Sequence, residues 1–125
     1  MSRSDLLAAI AARDLEALGT ALADGGDPNQ RGAGGEPALS HAAWNGEPAM
    51  VTALLQAGAA VDAASDGGNT ALMHAAARGQ LEVVRLLLAG GARPSHRNKW
   101  KLSAGDWAQW PENAAEIEAE LTRGG

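Results

Sequence analysis

The chain is predicted to be an all-helical solenoid of stacked helix-turn-helix units, on three observations. A segment repeats at an offset of 33 residues: Gly35-Glu36-Pro37-Ala38-Leu39-Ser40-His41-Ala42-Ala43 returns as Gly68-Asn69-Thr70-Ala71-Leu72-Met73-His74-Ala75-Ala76. The same offset carries Gly46 to Gly79, Val51 to Val84, Leu54-Leu55 to Leu87-Leu88 and Gly58-Ala59 to Gly91-Ala92. A fixed period of this size marks units too small to bury their own apolar faces, which therefore stack. The second observation is composition: alanine, glycine and leucine dominate, and Phe and Tyr are absent. Such a core is aliphatic and lets helix backbones approach closely. The third is helical spacing of apolar residues inside each period.

The period extends to both ends. Counting back from Leu55, Gly58 and Ala59 reaches Leu22, Gly25 and Gly26; counting forward from Leu88 and Gly91 reaches Leu121 and Gly124. The 125 residues thus divide into units at about 1–33, 34–66, 67–99 and 100–125, forming one domain with degraded outer units as caps. Each unit reads as helix, tight turn, helix, glycine and extended loop. In the third, Thr70 N-caps a short helix from Ala71 to Arg78, whose apolar face is Leu72, Ala75 and Ala76. Gly79 ends it in the left-handed conformation. Leu81, Val84, Leu87 and Leu88 form the stripe of the second helix, which Gly90-Gly91 stops. Arg93-Pro94-Ser95 then directs the chain into a loop. In the second unit Pro48 occupies the first turn of the second helix, where a missing N–H costs nothing. Gly32-Ala33-Gly34-Gly35 reads as a loop turn with positive φ rather than an anion cradle.

Charge and residue types narrow the function. The formal net charge is −5. The richest basic stretch is Arg93, His96, Arg97, Lys99 and Lys101, too sparse for nucleic-acid binding. It reads as a solvated loop or a local contact for an acidic partner. Cysteine is absent, which excludes disulfides and thiolate metal sites. Neither a leader peptide nor a membrane-length apolar run is visible, so a soluble cytoplasmic protein is expected. High alanine, glycine and arginine usage points to a bacterial source. His41 and His74 occupy one register on adjacent units, about 8–10 Å apart at helix-packing distance, too far to share zinc without other ligands. They read instead as side chains bonding a neighbouring loop, and His96 has no evident mate. Glu112, Glu116, Glu118 and Glu120 read as a charged run on the last helix, three of them facing water. No phosphate loop, nucleophile motif or acid–base pair is present, so no enzyme, metal or cofactor is expected.

Thr70-Ala71-Leu72-Met73-His74-Ala75-Ala76 resembles the Thr-Pro-Leu-His-x-Ala-Ala core of ankyrin repeats, and Pro37-Ala38-Leu39-Ser40-His41-Ala42-Ala43 does so more loosely. Val83 to Ala92 resembles the family's Leu-Leu-x-x-Gly-Ala run. Gly25-Gly26-Asp27-Pro28-Asn29 resembles its Gly-Ala-Asp-Pro-Asn ending. The resemblance covers nearly the whole chain. Departures lie at the ends. Lys101 replaces a preferred glycine, Gly105 a core leucine, and Glu112 and Arg13 stand where Gly46 and Gly79 sit, so those inter-helix turns are expected to be looser or differently built.

The resemblance implies four units, with hairpin-like finger loops and a concave palm of inner helices that meets partners. On this sequence the face maps to Glu36, Asp66, Asn69, Trp100 and Leu102 on the fingers. Ala33, Gly34, Gly67 and Lys99 lie beside them. The palm maps to His41, Trp44, Asn45, His74 and Arg78, continuing to Trp107, Trp110 and Pro111, with Ala77 between Trp44 and Trp110. All four tryptophans fall in this set, and tryptophan is enriched at binding hot spots. Trp44 and Trp110 are expected to anchor a partner across a gap floored by Ala77. Trp107 reads also as packing on the next unit, and Trp100 as packing in its finger.

The expected function is a non-catalytic protein-interaction module. It would act as an inhibitor, immunity factor or accessory subunit, as a monomer and toward a basic partner complementing the negative charge. The alternative is a small-ligand or cofactor receptor using the tryptophan-lined palm.

Overall fold

The computed structural model describes residues 4–108 and 113–124. Trp110, Pro111 and Glu112 lie outside the described residues. The described chain forms four successive helix pairs: α1 Ser4–Ala11 with α2 Leu15–Ala23, α3 Ala38–Asn45 with α4 Pro48–Gln56, α5 Ala71–Ala77 with α6 Leu81–Ala89, and α7 Ala104–Trp107 with α8 Ala114–Gly124. The first helices of the pairs pack successively on one another, and so do the second helices. Two layers result, with the core between them.

Local chemistry sets the helix ends. Asp14 Oδ1 accepts from Ala17 N at 3.0 Å and Thr70 Oγ1 from Met73 N at 3.4 Å, each satisfying an otherwise free helical donor. Pro48 stands in the first turn of α4. Gly46 and Gly79 turn the chain between helices at φ 69° and 68°. Arg13 adopts φ 58° at the same register, so the first inter-helix turn has the geometry of the others rather than a looser one. That conformation costs a non-glycine residue about 1 kcal/mol. Arg13 Nη1 also meets Glu47 Oε1 of the next unit at 3.2 Å, an exposed pair that offsets part of the cost.

The buried side chains are aliphatic: Leu6, Ile10, Leu18, Leu39, Leu54 and Leu72 are among those fully enclosed. On α6 the buried stripe is Val83, Val84 and Leu87, with Leu81 and Leu88 half-buried. Val83 thus takes a larger share of the core than the simplest helical spacing suggests. The helix α7 is only four residues long. Gly105 stands where α3 and α5 carry Leu39 and Leu72, leaving Ala104 and Ala108 to bury what they can. The helix is held by its cap instead, where Ser103 N donates to Asp106 Oδ2 at 2.9 Å. On α8, Ile117 and Leu121 face the core while Glu116 and Glu118 are exposed. Glu120 does not face water freely: its side chain is 14% exposed and pairs with Arg85 at 3.2 Å and Arg123 at 3.0 Å.

The loops between pairs form the fingers. Among the described residues they contain no continuous strand, only the isolated antiparallel bridges Arg31–Pro37 and Ala64–Thr70. Gly34 and Gly35 take φ of 69° and 70° at the first tip, as its glycine run requires. The Arg31 guanidinium donates to the carbonyl of Gly35 and to that of Ala64, which ties the first finger to the second.

Candidate functional site

The inner-layer helices place three aromatic rings in a row. His74, on α5, lies between Trp44 of α3 and Trp107 of α7. Both indoles meet the imidazole edge-to-face, with ring centroids 5.6 Å apart and planes at 89°. This is a favoured aromatic geometry. Repeat register explains the row: His74 occupies the turn of α5 that Trp107 occupies on α7, and Trp44 stands one turn beyond His41 on α3. On its other side Trp44 carries the Arg78 guanidinium, 4.5 Å from the ring centroid. Trp44 stays 43% exposed, whereas Trp107 is half-buried.

Glu36 descends from the first finger onto this row. Its Oε1 lies 2.7 Å from His74 Nε2. The carboxylate sits off the ring N–H direction, so this is a close polar contact rather than an aligned hydrogen bond. Burial lowers the His74 pKa below its ordinary value, and nearby His41 pushes the same way. Glu36 opposes both through its charge and its contact. Desolvation is the largest influence, so the neutral ring is favoured. His74 Nδ1 and the Trp107 indole Nε1 are buried and have no hydrogen-bond partner among the described residues. Unmatched buried polar groups cost about 1–3 kcal/mol each and call for a reason.

A pocket of about 280 Å³ opens between Glu36, His41, Trp44 and His74. A neighbouring hollow of about 200 Å³ lies between Ala77, Leu102, Asp106 and Trp107. His74 meets the neighbouring finger through this polar contact with Glu36 rather than through a hydrogen bond to the loop. His96 does have a mate, since its Nε2 lies 3.3 Å from the Gly68 carbonyl. No group of three His, Asp or Glu side chains able to hold a metal ion occurs among the described residues.

The other expected site residues divide by role. Asn45 donates to the Ile10 carbonyl at 3.2 Å, tying α3 to α1. Asn69 Oδ1 accepts from Asn98 Nδ2 at 2.9 Å, tying the second finger to the third. Asp66 is exposed at the second fingertip, and its carboxylate fills the space beside Gly35. Trp100 is 64% exposed and Leu102 41%, both on the third finger. Trp110, expected to pair with Trp44, lies outside the described residues, as does the far side of the gap it would bound. Three features were not anticipated: the Arg78–Trp44 stack, the Glu36–His74 contact and the buried Asn98. Only the last had a signal. Ser65 and Asn98 share one repeat register, and their side-chain oxygens accept from Asn69 N at 3.3 Å and Leu102 N at 3.0 Å, the same bond one unit apart.

Paired helices in two layers, with loops projecting beside an aromatic face, define a repeat protein of the stacked, solenoid kind. A family model for ankyrin repeats, in three copies, matches residues 6–98, and the chain belongs to that family. Ankyrin repeats are generally protein–protein interaction modules and are typically non-catalytic. The matched span ends before α7 and α8. No curated protein matches the sequence. No helix among the described residues is long and apolar enough to cross a membrane.

Proposed function

We propose that this protein binds a partner protein through its inner-helix face and fingers, and that it acts by occupying that partner as an inhibitor, immunity factor or accessory subunit. The observation that carries the reading is Trp44. It is a large apolar ring left 43% exposed, yet held in one orientation by His74 and Arg78. A rigid exposed indole binds with little loss of side-chain entropy, which is why such residues act as anchors. The pocket of about 280 Å³ beside Trp44 is large enough to receive a partner side chain.

The test is affinity capture from source cells with wild type beside Trp44→Ala. The expected outcome is a protein held by wild type and lost by a variant that still melts cooperatively. Equal capture by both would remove Trp44 from the interface.

A further inference from the structure

The net charge of −5 suggests a basic partner, yet the charges are not spread evenly. Glu16, Glu82, Glu116 and Glu118 lie exposed on the second helices α2, α6 and α8, while Glu36, Asp66 and Asp106 stand on the fingers and α7. The third finger is cationic. Arg97, Lys99 and Lys101 surround Trp100 there, all exposed. Neither lysine has a carboxylate within ion-pair distance among the described residues. The Asp106 carboxylate interacts with the Arg97 charge, but no ion-pair contact joins them among the described residues, and its hydrogen bonds go to Ser103. It accepts from Ser103 N at 2.9 Å and from the Ser103 hydroxyl at 3.2 Å, and the backbone bond holds its carboxyl below the usual carboxylate range.

This finger is also tied down by hydrogen bonds. Asn98 is buried, and its Oδ1 accepts from Trp100 N at 2.9 Å and Leu102 N at 3.0 Å. Lys99 N donates to the Gly67 carbonyl at 2.9 Å, and Arg97 Nη1 to the Lys101 carbonyl at 3.0 Å. The Trp100 ring rests against Gly67 of the second finger, where an added side-chain carbon would lie 3.2 Å from it. The rest of the indole is open to solvent.

Lys101 gives a second, independent sign. It adopts φ 65° at the register where Gly35 and Gly68 take 70° and 83°. Glycine would hold that conformation without strain, whereas lysine is held there at a cost. What lysine adds is a positive charge beside an exposed tryptophan.

We propose that the third finger binds an acidic segment of the partner protein that also carries an apolar side chain. The carboxylates meet Arg97, Lys99 and Lys101. The apolar side chain packs on Trp100 and Leu102, toward the hollow of about 200 Å³ that Leu102 shares with Trp107. The proposal rests on the protein-partner reading above and specifies the chemistry of one part of that surface. Three cations on one loop are too few to hold a polyanion such as nucleic acid at physiological salt.

The test uses fluorescently labelled synthetic peptides in which glutamate alternates with leucine, beside matched peptides in which lysine replaces each glutamate. Anisotropy titrations would follow wild type, Trp100→Ala, Lys101→Gly and Trp44→Ala. The acidic peptides should bind, the lysine peptides should not, and binding should weaken as salt screens the charges. Lys101→Gly should melt no lower than wild type and yet bind about two- to fivefold more weakly, the size expected for one exposed charge. Trp100→Ala should weaken binding further. Equal binding by Lys101→Gly, equal binding of both peptide sets, or a preference for vesicles of phosphatidylserine and phosphatidylcholine over the acidic peptides would overturn the proposal. Those results leave the capture experiment with Trp44→Ala standing, so the two readings can fail separately.

Discussion

Trp44 and His74 are neighbouring rings of opposite exposure. Trp44 is 43% exposed, with His74 edge-on to its ring and the Arg78 guanidinium over its face. Trp44→Ala should therefore change folding stability by less than about 1 kcal/mol, as exposed substitutions do, and weaken a bound partner by about 2 kcal/mol or more. Denaturant unfolding and partner titration measure the two. His74 is the reverse case, a mostly buried ring whose pKa burial depresses. The unfolded chain titrates at about 6.5 and so binds more protons than the folded chain just below that pH. The stability tied to neutral His74 is complete above about pH 6.5 and declines as pH falls toward the folded value. Melting temperature should therefore fall on mild acidification, and His74→Gln should flatten that decline between about pH 6.5 and pH 5. An unchanged slope would mean that the ring does not sense its burial.

At the scale of elements, what the repeat specified and what it could not are both visible. Helices α3 to α6 follow from capping residues, left-handed glycines and apolar spacing, all local signals that recur at one offset. The first inter-helix turn was misjudged because Arg13, though not glycine, takes the left-handed conformation and closes the same backbone bonds, with Asp14 N donating to the Ala9 carbonyl. Glu120 pairs with Arg85 on another helix, and no spacing within α8 reveals that pair. Of the residues expected on the candidate face, Trp44, Asp66, Arg78, Trp100 and Leu102 are exposed, while Glu36, His41, Asn45, Asn69, His74 and Trp107 are half-buried. The internal contacts of this face were not legible in the sequence, since Glu36 and His74 meet only once a finger overhangs the next inner helix. Asn98 is the buried polar hub of the third finger, bonded to Trp100, Leu102 and Asn69. Asn98→Ala should leave the two backbone donors without their acceptor and cost about 1–3 kcal/mol, read from the denaturant midpoint. It should also weaken acidic-peptide binding, because Trp100 then loses its anchor.

The whole molecule is stabilised by contact between successive pairs, since neither layer is complete within one unit. Leu72 lies fully buried at the middle of the stack. Leu72→Ala should cost about 2–5 kcal/mol and unfold the stack cooperatively, as calorimetry would show. Because the folded stack presents its fingers and inner face already ordered, partner binding avoids the cost of organising them. The most direct test of that display is a comparison of partner capture by wild type and Trp44→Ala, with both proteins checked for equal melting temperature. Loss of the partner by the folded variant is the expected result. Undiminished capture at equal melting temperature would contradict recognition through the inner-helix face.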